Sequence, residues 1–389
     1  MKRRRIVVVV GTLASNPYAG MAWMHMQIVG GLQRLGHDAY YFETTSAWPY
    51  DPVRNTTVDD SDYALPYLER VAESFGLGNR WAYRRSYSDK AWFGPSRAKA
   101  EELLAHADAV LNVAGATRFA EEGLKIGRLV HFGTDPGHHE IAFAKGQADV
   151  RTLIEEHADF VTYGENIGNN DCPLPPLPRL RSRTRQPVLL HLWHDGAPLK
   201  KEFTTVANWR QTGRDIEFNS QTYRWSKHHE FLKFIDLPRR TQQSVELATG
   251  LANLSPKERD LLESMGWRLR DAHPFTTDPW RYRDYVQSSR GEFTVAKDLH
   301  IRLRSGWFSE RSACYLAAGR PVITQDTGFA NCLPIGEGLF AFNRTEEIIA
   351  AFEAINSDYE THSRAARAIA EEYFRAETVL KKVIDDLGL

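Results

Sequence analysis

The sequence is short of cysteine, of long apolar runs and of net charge. Its 389 residues include three cysteines, Cys172, Cys314 and Cys332, with no Cys-x-x-Cys spacing, so neither a disulfide framework nor a zinc site is indicated. No apolar run approaches the roughly 18 residues that predict a membrane span. The formal net charge of −1 excludes an overall attraction to nucleic acid. We therefore predict a cytoplasmic monomer or homodimer that has no bound metal, no membrane span and no nucleic-acid partner.

Short apolar segments alternate with helical patterns along the first half of the chain. The run "IVVVV" has the continuous β-branched character of a parallel strand that is buried on both faces. A helical stretch, "MAWMHMQIVGGLQRLG", follows it, and "DAYYFE", "DAVLNVAG", "RLVHFG" and "DFVTYG" supply further strands. This alternation is typical of a doubly wound α/β sheet.

A segment rich in proline and arginine, "CPLPPLPRLRSRTRQP", separates this half from a second one. There "VLLHLWHDG", "WRLRDA", "GEFTVA", "PVITQD" and "GLFAF" indicate another parallel sheet. We predict Rossmann-like domains over residues 1–171 and 188–365, a linker over 172–187 and a final helix over 366–389. Two such domains would form a cleft between the carboxyl edges of their sheets, where ligands of this fold class bind.

The final helix carries an apolar stripe, which predicts that it packs against the N-terminal domain. The stripe consists of Tyr373, Phe374, Val379, Leu380 and Val383.

The stretch "WFSERSACYLAAGRPVITQDTGF" contains the strongest binding signal. Ser309 is a suitable N-cap for a helix that ends at Gly319, and the amides of a helix start bind phosphate readily. The strand "PVITQ" then leads to Thr327, which offers a hydroxyl, and to Gly328, which allows a close approach of the backbone. We predict that both elements hold one diphosphate. The predicted nucleotide-binding residues here are Ser309, Glu310, Arg311, Asp326, Thr327, Gly328 and Phe329.

The segments "CYLAAGRPVITQDTGF" and "GEGLFAF" resemble the C-terminal domain of GT-B glycosyltransferases, in particular the bacterial family 1-like proteins related to the spore maturation protein CgeB. "NPYAGMAWMHMQIVGGLQRLGHDAYYFE" is similar to the opening loop and first helix of these enzymes, and "HFGTDPGHHE" resembles another of their stretches. The resemblance covers most of the chain and implies a GT-B fold, with a final helix that crosses back to the N-terminal domain.

The resemblance also implies an activity and the binding partners. A sugar would pass from a UDP-, TDP- or GDP-linked donor, held by the C-terminal domain, to an acceptor held by the N-terminal domain, without an obligatory metal or other cofactor. The acceptor would be a natural product, a glycan or a protein. The opening loop and helix imply substrate binding by Gly20, Met21 and Trp23.

The sequence departs from the family pattern at two places. Many retaining relatives carry two glutamates at positions that here hold Gly306 and Cys314. Many inverting relatives place a base histidine directly after the first loop glycine, where this chain has Met21 after Gly20. His25 lies one helical turn further on, and the stereochemistry of transfer stays open.

The loop after "RLVHF" offers further candidates for the general base. Asp135 follows a predicted strand of the acceptor-side domain, and His138 and His139 stand close to it. We predict that Asp135 deprotonates or positions the acceptor hydroxyl, with either histidine as the alternative. Adjacent histidines on an extended segment would point to opposite sides, so this pair does not predict a metal site.

Three charged residues near the predicted strand "GEFTVA" are also candidates. Glu292 would accept hydrogen bonds from ribose hydroxyls, whereas Arg290 and Lys297 would neutralise phosphate. Two other functions stay open: a nicotinamide-dependent oxidoreductase, since Glu43 ends the second strand, and a non-catalytic nucleotide-sugar-binding protein. Against the oxidoreductase, no Gly-x-Gly-x-x-Gly motif follows the first strand.

Overall fold

The computed structural model describes residues 4–194 and 199–389 of the chain, and these residues form two compact units. The first unit holds the chain through Tyr163, followed by Pro176–Leu189 and Ala376–Leu389. The second unit holds Gly164–Pro175 and Leu190–Arg375. The chain therefore changes unit four times: after Tyr163, within the segment predicted as a linker, after Leu189 and after Arg375.

The first unit is built on an eight-stranded sheet with the order β10-β9-β8-β7-β1-β2-β5-β6. Neighbouring strands run parallel except β5 and β6, so the carboxyl ends of the central strands meet at one edge. A separate hairpin pairs β3 with β4. The strands are β1 (Ile6–Val10), β2 (Asp38–Glu43), β3 (Tyr50–Asp51), β4 (Thr56–Thr57), β5 (Trp81–Arg84), β6 (Trp92–Phe93), β7 (Ala109–Val113), β8 (Leu129–Gly133), β9 (Asp159–Thr162) and β10 (Leu180–Arg183). All five strands predicted in this half are present.

The segment predicted as a linker contains a strand. Its last part, β10, pairs in parallel with β9 at the edge of the sheet. Ser182 is buried there while Arg181 and Arg183 face solvent, which suits an edge strand. The prolines flank these four residues instead of interrupting them, so the proline-rich composition did not prevent pairing.

Helices cover both faces of this sheet, as the continuous apolar character of β1 requires. The longest of them, α1, ends one residue before Leu35, and Gly36 follows with a φ of +87°. That conformation is the reason a glycine terminates the helix. The helices are α1 (Ala19–Arg34), α2 (Ala64–Ser74), α3 (Arg97–His106), α4 (Phe119–Glu122), α5 (His138–Ala144) and α6 (Ala148–Glu156).

The second unit is built on a six-stranded parallel sheet with the order β15-β14-β11-β16-β17-β18. A β-hairpin of β12 and β13 lies outside it. The strands are β11 (Phe203–Val206), β12 (Ile216–Phe218), β13 (Gln221–Tyr223), β14 (Val245–Thr249), β15 (Arg268–Asp271), β16 (Gly291–Thr294), β17 (Val322–Gln325) and β18 (Leu339–Phe342).

Sequence analysis identified four of the six sheet strands in this unit and missed β11 and β14. The predicted strand "VLLHLWHDG" was wrong within the described residues, because a 3₁₀ turn, Leu190–Leu192, occupies its centre. The central strand β11 was missed because two of its four residues are threonines. Thr204 donates to Ser289 Oγ at 2.7 Å and Thr205 to Thr294 Oγ1 at 3.1 Å. These bonds allow the hydroxyls to be buried in a core strand.

Apolar side chains from the sheet and from the helices around it form the core of this unit, with Phe203, Phe231, Phe293 and Phe352 among them. The helices are α7 (His228–Lys233), α8 (Leu237–Arg240), α9 (Pro256–Ser264), α10 (His273–Thr276), α11 (Pro279–Ser288), α12 (Asp298–Leu303), α13 (Glu310–Ala317), α14 (Thr345–Ser357) and α15 (Tyr359–Ile369).

The end of the chain is divided between the two units. A π-helical turn, Ala370–Phe374, ends in the second unit, and helix α16 (Ala376–Asp386) belongs to the first. Helix α16 packs on α1, where a Cβ on Gly31 would lie 2.5 Å from Leu380 Cδ1. The predicted apolar stripe is therefore split. Val379, Leu380 and Val383 are buried in the first unit, whereas Phe374 packs on Phe308 in the second.

Candidate functional site

One arginine holds the start of α13 against the carboxyl edge of the second sheet. Arg311 donates to the carbonyl oxygen of Val206 at 2.5 Å and to Thr294 Oγ1 at 2.9 Å. Val206 and Thr294 are the last residues of β11 and β16. The same guanidinium forms a buried ion pair with Glu292. The first turn of α13, whose amides have no acceptor within the helix, therefore lies at the ends of these two strands.

Ser309 occupies the N-cap position of α13, but its side chain does not cap the helix. The backbone of Ser309 is extended, and its hydroxyl accepts no hydrogen bond from the helix amides. Glu310 begins the helix, and its Oε1 accepts a 3.3 Å hydrogen bond from Cys314 Sγ. Both Ser309 and Glu310 are partly exposed. A hydroxyl, a carboxylate and the amides of a helix start thus occupy one place, and the amides favour an anion.

The Asp-Thr-Gly turn after β17 is held by contacts within the second unit. Asp326 accepts hydrogen bonds from the Gly328 amide at 2.9 Å and from Arg304 at 3.0 Å. Gly328 has a φ of +90°, and Phe329 is buried against Phe308. Asp326 and Phe329 therefore position this turn, so a direct contact of their side chains with a ligand is not favoured.

Thr327 links the turn to the loop that leads into α13. Its hydroxyl donates to the carbonyl oxygen of Trp307 at 2.5 Å, and its own carbonyl accepts from the Gly306 amide at 2.8 Å. Thr327 is 1% exposed. The Thr327 hydroxyl is therefore bonded to the backbone of Trp307. This bond differs from the prediction that Thr327 holds a diphosphate.

Gly306 stands where retaining relatives carry a glutamate, and no side chain fits there. Its φ is +77°, and a Cβ would lie 2.6 Å from the Asn166 nitrogen. Asn166 is held in place by hydrogen bonds from its Nδ2 to the carbonyl oxygen of Arg304 at 2.8 Å and to Asp171 Oδ1 at 2.9 Å. Any side chain at position 306 would therefore collide with Asn166.

Lys297 follows β16 at the carboxyl edge of the sheet. It is 8% exposed, and its Nζ lies 3.4 Å from the centroid of the Trp225 ring. Trp225 belongs to the loop between β13 and α7, and its amide donates to Asp215 Oδ1 at 2.8 Å. Lys297 was predicted from the sequence, whereas Trp225 was not. The two residues are far apart in the chain, so no local sequence pattern indicates their contact. A ring beside a cation suits the base and phosphates of a nucleotide.

Two other predicted residues of this unit lie away from the edge, which corrects the prediction. Arg290 precedes β16 at its amino end, where its guanidinium donates to Asn356 Oδ1 at 2.7 Å and stacks on Tyr359. Glu292 is fully buried and paired with Arg311. Arg311 also donates hydrogen bonds to residues at the ends of β11 and β16. Arg311 and Glu292 therefore support the start of α13 and do not line the site.

In the first unit, Glu43 fixes the loop after β1. Its carboxylate accepts hydrogen bonds from the amides of Ala14 and Ser15 at 2.7 Å each, from the Ser15 hydroxyl and from Tyr41 at 2.8 Å. Burial raises the pKa of Glu43, and these donors oppose the shift. Since its oxygens are taken up by its own loop, Glu43 does not suit the ribose of a nicotinamide cofactor.

The candidates on α1 separate into buried and accessible residues. His25 is buried, donates from Nδ1 to the Met21 carbonyl oxygen at 2.7 Å and rests on Gly11, which has no room for a Cβ. Burial lowers its pKa to about 4, so it is a weak base. Trp23 is also fully buried, and this corrects its prediction as a substrate-binding residue. Gly20 is partly exposed, with open space where a Cβ would stand.

Asp135 lies exposed in the loop after β8, and the two neighbouring histidines begin α5. The extended segment predicted for His138 and His139 was wrong, because both lie in the first helical turn, with their ring centroids 6.2 Å apart. Burial, and next the nearby His138, lower the pKa of His139 to about 4. Burial thus makes His139 a weak base.

Sequence analysis missed a histidine cluster behind this loop. His131, on β8, has its ring centroid 5.1 Å from that of His139 and 5.3 Å from that of His157. His131 is 2% exposed, and its Nε2 has no hydrogen-bond partner among the described residues. Burial, then His139 and His157, keep its pKa well below the usual value. The sequence of β8 did not predict this cluster, because His131 lies on β8, His139 on α5 and His157 directly after α6.

The described residues contain neither a metal-binding cluster nor a membrane-spanning helix. No group of histidine, cysteine, aspartate and glutamate side chains in residues 4–194 and 199–389 has the arrangement of a metal site. No helix in the same residues is long and apolar enough to cross a membrane.

Comparison with known proteins relates the chain to others by structure. No family model and no curated protein matches the sequence. The solved structure of HepE from Anabaena in complex with UDP-glucose is similar, with a TM-score of 0.58 at 11% identity over 98% of this chain and 99% of that one. Sucrose-phosphate synthase from Thermosynechococcus elongatus has a TM-score of 0.53 at 10% identity over 99% of both chains.

A third similar structure is a glycosyltransferase from Rickettsia africae, with a TM-score of 0.55 at 9% identity over 98% of this chain and 97% of that one. At these identities the likeness concerns the fold. The chain has the GT-B fold with two Rossmann-like parts, as the sequence resemblance predicted.

Proposed function

We propose that this protein is a glycosyltransferase that moves a sugar from a nucleotide-diphosphate sugar to an acceptor hydroxyl, with no obligatory metal. The observation that carries the proposal is the start of α13, where the Ser309 hydroxyl, which makes no cap bond, the Glu310 carboxylate and the first helix amides share one end of the second sheet. Such a helix start binds phosphate. The fold is consistent with this activity, since HepE was solved with UDP-glucose.

The groups at the start of α13, together with Lys297 and Trp225, each have a role in donor binding. The α13 amides and the Ser309 hydroxyl hydrogen-bond the diphosphate, and Lys297 balances its charge. The ring of Trp225 contacts the base, and Glu310 accepts hydrogen bonds from ribose or sugar hydroxyls. Among the UDP-, TDP- and GDP-linked donors, UDP is the first to test because a similar fold was solved with it.

Transfer forms a bond between the acceptor oxygen and the anomeric carbon and breaks the bond from that carbon to the diphosphate. The amides of α13 stabilise the negative charge that develops on the leaving diphosphate. The proton of the acceptor hydroxyl passes to Asp135, or to His138, in the loop after β8. General-base help of this kind contributes a factor of about 10² to 10⁴.

The donor site is tested with two N-cap serines of the same unit. Ser255 caps α9, since its hydroxyl accepts from the Glu258 amide at 3.3 Å, whereas Ser309 makes no cap bond. Ser309→Ala should weaken UDP binding roughly tenfold or more, because a hydrogen bond to a charged oxygen is lost, and leave thermal stability unchanged. Ser255→Ala should lower stability by about 1 kcal/mol and leave UDP affinity unchanged.

Isothermal titration calorimetry with UDP, with and without a chelator, measures both variants. Loss of binding in the chelator, or equal UDP affinity of wild type and Ser309→Ala, would contradict the proposed donor site. Ser309→Ala is a cleaner change than a variant that also removes Thr327, since the Thr327 hydroxyl supports the Trp307 loop.

The base is tested with Asp135→Asn, His138→Ala and His139→Ala. Transfer rate and donor affinity are measured separately. A base variant should lose rate by two orders of magnitude or more while UDP binding persists. If Asp135→Asn transfers at the wild-type rate, the role passes to His138; His139→Ala should have little effect, since its pKa of about 4 makes it a weak base.

Radiolabelled nucleotide-sugars separate this function from the alternatives. An active glycosyltransferase should release the nucleotide slowly by donor hydrolysis even without its acceptor. Binding without turnover would identify a nucleotide-sugar-binding protein. Binding of NAD in place of a nucleoside diphosphate would indicate an oxidoreductase, a function that the use of Glu43 by its own loop disfavours.

A further inference from the structure

A second concave site lies along α11, lined by that helix together with β15 and the chain before β11. It is an open pocket of about 560 Å³. Among residues 4–194 and 199–389, four cationic side chains line it against a single carboxylate, that of Asp284. The cations are Lys200, Arg270, Arg281 and Arg283. Such an excess of positive charge is unusual on a chain whose formal net charge is −1.

The charges in this pocket are crowded and incompletely paired. Arg283 forms an ion pair with Asp284 at 3.0 Å. Lys200 and Arg270 form no ion pair among the described residues, although the charges of Glu246 and Glu202 act on Lys200. Both cations lie over the ring of Tyr285, with Lys200 Nζ 4.6 Å and the Arg270 guanidinium carbon 5.3 Å from its centroid. Burial, and next the charge of Arg270, lower the pKa of Lys200. An anion between these cations would relieve their repulsion.

One residue that lines the same pocket carries a buried amide donor. Gln287 lines it and is 2% exposed, yet its Nε2 has no hydrogen-bond partner among the described residues. A buried amide donor without an acceptor is costly. The pocket therefore combines surplus positive charge with an unsatisfied donor, and both call for an acceptor with negative charge.

We propose that this pocket binds the phosphate group of a small phosphorylated molecule, such as a sugar phosphate. A phosphate supplies several acceptor oxygens to Arg270, Lys200 and Gln287, and guanidinium groups bind it in a bidentate manner. The volume suits a ligand of sugar-phosphate size. This site is separate from the start of α13, and it does not depend on the proposed sugar transfer.

Calorimetric titration with inorganic phosphate and with glucose 6-phosphate tests the proposal, with glucose as the neutral control. The wild type should bind both phosphates and not glucose. Gln287→Leu should weaken phosphate binding roughly tenfold or more without lowering the melting temperature of the unliganded protein, because it removes the buried unsatisfied amide. Arg270→Gln should weaken binding by a similar factor.

One control variant separates this pocket from other positive charges of the same strand. Arg268→Gln removes the same charge from β15, but Arg268 is paired with Glu202 outside the pocket, so phosphate affinity should not change. Equal affinity of wild type, Gln287→Leu and Arg270→Gln would overturn the proposal. So would binding confined to vesicles that contain phosphatidic acid, since the ligand would then be a membrane surface.

Discussion

The prediction that depends most directly on the geometry of the second unit concerns Gly306. Its φ of +77° places it in the left-handed region, and a Cβ would approach the Asn166 nitrogen to 2.6 Å. Gly213, in the same unit, has a φ of +79° but nothing within 4 Å of its Cβ position. The two alanine variants therefore share the backbone strain and differ in the steric contact.

The expected magnitudes follow from these two terms. A left-handed alanine costs about 1–2 kcal/mol, which is the whole expectation for Gly213→Ala. In Gly306→Ala, Asn166 must also move, which weakens its hydrogen bonds to Arg304 and Asp171. At about 0.5–1.5 kcal/mol for each bond, the total cost becomes about 2–5 kcal/mol.

Thermal unfolding of both variants beside the wild type measures the difference. At about 2–4 °C per kcal/mol for a domain of roughly 150–250 residues, Gly306→Ala should melt at least a few degrees below Gly213→Ala. UDP affinity should also fall in Gly306→Ala, because the loop before α13 shifts. Equal melting temperatures of the two variants would refute the argument that Asn166 excludes a side chain at this position.

Three further predictions concern the buried ion pair, the histidine cluster and the final helix. Arg311→Met should destabilise the protein to urea by about 3–5 kcal/mol, because it leaves Glu292 buried without its partner; joint replacement by Arg311→Met and Glu292→Leu should restore part of the loss, and no recovery would contradict this. The free energy of unfolding should fall as the pH drops from about 6.5 to about 4, because His131 and His157 take up protons in the unfolded chain but stay neutral when buried in the folded protein. His131→Leu should make this fall shallower. An unchanged slope of melting temperature against pH would refute the prediction. Deletion of residues 376–389 should cost several kcal/mol, since each buried apolar side chain contributes about 1.5–3 kcal/mol; an unchanged melting temperature would show that α16 stabilises nothing.

Local patterns were sufficient for much of the fold. The valine run of β1, the glycine after α1 and the apolar strands β2, β7, β8 and β9 were all readable, because burial on both faces and helix termination leave periodic marks in the chain. Strand β11 left no such mark. Its threonines are buried only because Ser289 and Thr294 satisfy their hydroxyls, and those partners lie far away in sequence.

In the candidate site, too, the sequence predicted the residue types, whereas their hydrogen-bond partners depended on the tertiary structure. Ser309 was readable as the first residue before a helix, but whether its hydroxyl caps that helix or is left for a ligand depends on backbone geometry that residue type does not reveal. Thr327 and Glu292 had the right chemistry for a ligand and were given other partners by the fold. Trp225 acquires significance only through Lys297, which lies far along the chain.

By itself, the sequence determined most of the apolar strands of both sheets, the end of α1 before Gly36 and the alternation that makes two parallel α/β sheets. Those properties depend on neighbours within a few residues, where side-chain periodicity and glycine conformations act. The tertiary structure decided which polar groups remain available. Hydrogen bonds and ion pairs join residues far apart in sequence, and a group that finds such a partner, as Glu43 finds the amides of Ala14 and Ser15, is no longer available to a ligand.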